Sequence, residues 1–73
     1  MDAIPPTFYA FLNELYPFQD MKNISIEQHT KTEYNVWDKT TLRNVIKIEG
    51  NEMQIYGIRG DCKLYYITTK ELS

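Results

Sequence analysis

The sequence predicts an α+β fold: one N-terminal helix packed on an antiparallel meander of four to five strands. Three observations carry this. Phe8, Phe11, Leu12 and Leu15 recur at the i, i+3, i+4, i+7 spacing of a single helix face. From residue 23 onward, short runs rich in Ile, Val and Tyr alternate apolar with polar positions. Those runs are separated by tight-turn signals, above all Gly50-Asn51 and Gly60-Asp61.

The helix opens at Pro5-Pro6, where a missing N–H costs nothing, with Thr7 as a second candidate for the cap. Pro17 ends it by disfavouring helical geometry at Tyr16. Tyr9 and Tyr16 flank the apolar stripe, and Phe18 lies just beyond it. Asn23 to Gln28 predicts a strand with Ile24 and Ile26 on one side. Residues 29–32 form a turn or continue that strand, and Glu33 to Trp37 is the next one. A polar connection, Asp38 to Thr41, leads into the segment VIKIEGNEMQIYGIRGDCKLYYIT, residues 45–68, which reads as three strands. A short turn at Thr69–Leu72 is expected to follow.

Two-residue loops at Gly50-Asn51 and Gly60-Asp61 would pair Tyr56 with both Val45 and Tyr65. Alternation then sorts the side chains into two faces. Ile46, Ile48, Met53, Ile55, Leu64 and Tyr66, with Gly57 and Cys62, make the face beneath the helix. The second face holds Arg43, Val45, Lys47, Gln54, Tyr56, Ile58, Lys63, Tyr65 and Ile67. A fully solvated face would be more uniformly polar. An apolar cluster rimmed by polar groups is instead a candidate interface, with Tyr56, Tyr65, Ile58, Ile67, Lys47, Lys63 and Arg43 as its residues. A third outcome is that the middle segment, with Trp37 and Leu42, folds over this face and buries it.

Composition narrows the function classes. The 73 residues are 42% hydrophobic and 14% aromatic, which suits one small globular domain spanning 1–73. A core of that size supplies roughly 3–5 kcal/mol net, and such domains often lean on disulfides, metals or partners. With one cysteine and one histidine, neither an intrachain disulfide nor a four-ligand zinc site can form. A partner or homodimer therefore becomes the expected source of extra stability. The N-terminal stretch lacks the basic n-region of a signal peptide and is too polar to span a membrane. Asn23-Ile24-Ser25 matches the glycosylation pattern by chance on this reading. A net charge of −2, with 8 basic and 10 acidic residues interspersed, disfavours a dedicated nucleic-acid binder.

Nothing in the sequence assembles catalytic chemistry. His29 lies in a polar stretch without a nucleophile beside it, and Cys62 reads as a small buried hydrophobe next to a turn. Gly50, Gly57 and Gly60 are too scattered to cradle a phosphate. The expectation is no enzyme, no cofactor and no metal.

The stretch NVIKIEGNEMQIYGIRGDCKLYYITTKEL, residues 44–72, is similar in rhythm to the first half of LytTR-type DNA-binding domains. Those also run from a strand ending in an acidic residue, through a tight turn, to a strand pair and a short Leu-containing helix. The N-terminal helix has no counterpart there, and no functional residue is carried over.

The functional expectation is a small intracellular, cytoplasmic protein-binding module: an inhibitor, adaptor or small regulatory subunit. Phage-encoded inhibitors of host proteins are one such class. The alternative is a single-stranded nucleic-acid or DNA-binding domain using Tyr56 and Tyr65 with Lys47, Lys63 and Arg43.

Overall fold

The computed structural model of the chain describes residues 4, 6–16 and 22–72. Helix α1 spans Pro6–Leu15, followed by strands β1 (Ile24–Thr30), β2 (Glu33–Asp38), β3 (Thr41–Glu49), β4 (Glu52–Ile58) and β5 (Leu64–Glu71). The strands form one antiparallel sheet in the order β1-β2-β3-β4-β5, a meander with every neighbour adjacent in sequence. The expected Pro5 and Pro17 boundary signals and Phe18 lie outside the described residues.

The helix stripe packs as its spacing requires. Phe8, Phe11 and Leu12 are buried against Tyr34, Val36, Ile46, Met53 and Ile55, and Ile24, Ile26 and Ile48 pack at the margin. Phe8 meets Tyr34 edge-on, with ring centroids 4.8 Å apart. Leu15, the last residue of the stripe, is partly exposed at the helix end. Thr7 does not cap the helix. Its hydroxyl donates to the Leu72 carbonyl at 2.9 Å, tying the helix to the strand at the far edge of the sheet. Lys70 and Glu14 add an exposed ion pair between the same two elements.

The first of the two glycine hairpins forms with the expected register. Glu49 pairs Glu52, Ile46 pairs Ile55 and Val45 pairs Tyr56. Gly50 takes a φ of 62° and Asn51 stays at negative φ, the pattern of a type II′ hairpin turn.

The second hairpin departs from expectation. The Arg59 N–H donates to the Lys63 carbonyl, and the Cys62 N–H donates to the Arg59 carbonyl. Gly60, Asp61 and Cys62 therefore make a three-residue loop, with Cys62 in the left-handed region at φ 66°. The added residue shifts the pairing by one, so that Tyr56 faces Tyr66, Gly57 faces Tyr65 and Ile58 faces Leu64. A one-residue slip exchanges the two faces of a strand. Leu64 and Tyr66 thus leave the helix side, and Tyr65 joins it. A bulge between Ile55 and Tyr56 leaves Ile67 as the extra residue of β5 and sets Ile55 against Thr68. Cys62 is exposed in the loop and is not a core residue. The expected turn at Thr69–Leu72 is absent, because β5 runs on to Glu71 and the Leu72 N–H donates to Asn51.

The middle segment extends the sheet and does not cover it. β1 reaches Thr30, and only Lys31 and Thr32 turn. A second bulge, between Val36 and Trp37, leaves Arg43 unpaired between Asn44 and Leu42.

Candidate functional site

The helix lies on one face of the sheet. Among the described residues, no element covers the other. That open face is built from alternate positions of all five strands. Its centre holds Trp37 and Leu42, Val45, Tyr56 and Ile58, and Leu64 and Tyr66, joined through the pairs Trp37–Leu42, Val45–Tyr56, Tyr56–Tyr66 and Ile58–Leu64. Tyr56 and Tyr66 meet edge-on with centroids 5.9 Å apart. Lys47 stands 5.2 Å from the Tyr56 ring centroid, a cation–π distance.

Side-chain hydrogen bonds hold this face in place. The Tyr56 hydroxyl donates to Gln54 Oε1 at 3.0 Å, and Gln54 Nε2 donates to Glu49 at 3.2 Å. The Trp37 indole donates to Glu27 at 3.1 Å, which fixes the ring across β1 and β2. Tyr66 and Thr69 share a hydroxyl–hydroxyl bond of 2.6 Å across the bulge. Aromatic rings held by their polar ends lose little further freedom when covered, which favours their use as anchors.

The seven residues expected to form one site do not all meet. Tyr56, Ile58 and Lys47 lie on the open face as expected from the first hairpin. Tyr65 lies over Gly57 on the helix side, with the Arg59 guanidinium 5.6 Å from its ring centroid. Ile67 is the bulge residue and lines a cleft with Tyr65. Arg43 sits in the β3 bulge and turns to the helix side, its Nε 3.7 Å from Asp38. Lys63 is at the hairpin tip, where its N–H donates to Asp61 Oδ1. Trp37, Leu64 and Tyr66 take their place on the open face. Continuing the alternation of Tyr34 and Val36 one step would have placed Trp37 there.

Arg43, Tyr65 and Ile67 help to line a cleft of about 400 Å³ at the C-terminal end of the helix, together with Leu15, Tyr16 and Asn44. Two of its polar groups are already engaged with each other. The Tyr16 hydroxyl donates to Asn44 Oδ1, and Asn44 Nδ2 donates to the Tyr56 carbonyl at 3.1 Å. Asn44 is the one buried polar residue among the described residues, and both of its side-chain polar atoms have a partner. Burial pushes the Tyr16 phenol above its usual pKa, with Arg43 nearby pulling it partly back. This cleft is a structural joint between helix and sheet.

The charge of the open face is acidic. Glu27, Glu33, Glu49, Glu52 and Glu71 occupy its alternating positions, against Lys47 alone in the strands. Glu52 stands directly opposite both Glu49 and Glu71. His29 is exposed near the end of β1, and among the described residues no group of three His, Cys, Asp or Glu side chains is placed to hold a metal ion. Among the described residues, no helix is long and apolar enough to cross a membrane. No protein-family model matches the chain, nor does any curated protein or solved structure.

Proposed function

We propose that this chain is a small protein-binding module that works by covering part of another protein with its open sheet face, as an inhibitor, adaptor or small regulatory subunit inside the cell. One observation carries the reading: Trp37, Tyr56, Tyr66 and Leu64 form a continuous apolar band on a face that no described element covers. Tyr and Trp in a polar frame are the residue types that anchor protein interfaces. The frame is mainly carboxylate, so the partner that fits carries an apolar patch rimmed by Lys and Arg. The same carboxylates disfavour a phosphate backbone. Arg43 and Lys63, which the nucleic-acid alternative requires beside Tyr56, point elsewhere or stand at the tip.

The test replaces Tyr66 by a photo-crosslinking amino acid, with the exposed helix position Asn13 as control. Crosslinking from position 66 to one protein other than a second copy of the chain, and not from 13, is the expected result. Tyr56→Ala should weaken that interaction by about tenfold or more if the ring is an anchor. Binding that instead collapses steeply with added salt and transfers to oligonucleotides would replace this reading by the nucleic-acid one.

A further inference from the structure

The two edges of the sheet differ in a way that bears on self-association. The outer strands are β1 and β5. In β1 the exposed positions are Ser25, Glu27, His29 and Thr30, all of them polar or charged. Such an edge resists pairing with another chain. In β5, four consecutive apolar residues are exposed: Leu64 at 42%, Tyr65 at 41%, Tyr66 at 57% and Ile67 at 38%. No charge or proline occurs from Leu64 to Thr69. An edge with that composition presents its free N–H and C=O groups as a template for another strand.

Charge at the ends of the strand indicates which strand. Arg59 and Lys63 stand at the hairpin end, and Glu71 stands at the other, opposite Glu52. Lys70 is directed to Glu14 on the helix, leaving the two carboxylates facing each other. Like charges directly opposite one another are unfavourable in a sheet. We propose that two copies of the chain associate by antiparallel pairing of their β5 edges, joining two five-stranded sheets into one. A twofold axis at Ile67–Thr68 sets the basic end of each copy beside the acidic end of the other, twice. It also pairs Leu64 with Glu71, Tyr65 with Lys70 and Tyr66 with Thr69 of the second copy. Each of these pairs shares a face of the sheet, as antiparallel pairing requires. Parallel pairing would bring like ends together. The proposal uses the edge of the sheet and stands independently of any partner on the open face.

Sedimentation of the full chain, under reductant because Cys62 is exposed, tests it from low micromolar to millimolar concentration. The expected result is a reversible monomer–dimer equilibrium. Lys63→Glu and Glu71→Lys should each weaken the dimer by about tenfold, and the double charge reversal should restore it. Both positions are exposed, so the fold tolerates the changes. Ile67→Lys, with a native circular dichroism spectrum, should leave only monomer. A wild-type chain that stays monomeric throughout, or a dimer indifferent to the three single substitutions, overturns the proposal. So does a monomer that captures an extended peptide along β5 instead.

Discussion

Two hairpins share strand β4 and look alike in sequence, each with a glycine followed by Asn or Asp. They fold differently. At Gly50-Asn51 the glycine takes the positive φ and the loop has two residues. Across the other loop Gly60 keeps an ordinary φ, and the left-handed position falls two residues later on Cys62. That single residue decides which tyrosine of β5 stands beside Tyr56 and which lies under the helix side. A turn dipeptide thus locates a hairpin but does not settle its register. The register depends on which residue accepts the left-handed conformation.

The largest expected effect is at Gly57, where the two hairpins meet. A Cβ built there would collide with the outer end of the Tyr65 ring, at Cζ, Cε1 and the hydroxyl. Gly57→Val should therefore displace the ring. The clashing atoms are the outer end of a side chain that is 41% exposed, so the ring can swing aside. The cost should fall near the low end for overpacked sites, about 1–1.5 kcal/mol. In the register with Leu64 opposite Gly57, the same change would meet no ring and add strand propensity. Urea unfolding distinguishes the two outcomes through the midpoint. Tyr65→Ala in the Gly57→Val background should recover part of the loss, because it removes the clashing atoms.

The two loop glycines supply a direct contrast. Both have open space where a Cβ would go, so only backbone conformation differs. Gly50→Ala forces an L-residue to a φ of 62° and should cost about 1 kcal/mol. Gly60→Ala should leave the urea midpoint unchanged or slightly raised, since Gly60 asks nothing that alanine lacks. Equal losses at both sites would mean that the second loop has the two-residue form after all. Smaller still, Cys62→Gly should stabilise by about 0.5 kcal/mol. It relieves a left-handed L-residue and gives back part of the gain as unfolded-state entropy.

How much was legible follows from where the chain marks its own irregularities. The helix face and the first hairpin were readable because Phe8, Phe11, Leu12 and the Gly50-Asn51 pair are punctuated by period and residue type. The bulge at Ile67 lies inside an unbroken Leu-Tyr-Tyr-Ile-Thr-Thr run, where nothing local distinguishes the extra residue from its neighbours. Arg43 falls in a similar unmarked bulge, so alternation counted through it misassigned its face. The candidate surface was therefore half legible. Tyr56, Ile58 and Lys47 followed from the first hairpin, whereas Tyr66 and Leu64 required the true loop length. Asn44 was also hidden: alternation puts it on the core face, but its value lies in partners that only the tertiary fold brings together.

Those partners set the final contrast, between how the helix is tied to each hairpin. To β4–β5 it is joined in part by the exposed Glu14–Lys70 pair, which contributes little in water. To β3–β4 it is joined by the chain from the Tyr16 hydroxyl through Asn44 to the Tyr56 carbonyl. This second tie is pH-sensitive. Burial raises the Tyr16 phenol above its usual value, so the folded chain holds that proton more tightly than the unfolded chain does. Its contribution is fully present below the unfolded tyrosine's pKa of about 10 and is lost as pH rises through the folded one. Stability from urea titrations between neutral pH and the alkaline range should thus fall more steeply for wild type than for Tyr16→Phe. Below the tyrosine range the difference between the two chains should be constant, reflecting the missing hydroxyl alone. Parallel curves across the alkaline range would place Tyr16 in water and remove the polar tie between helix and first hairpin.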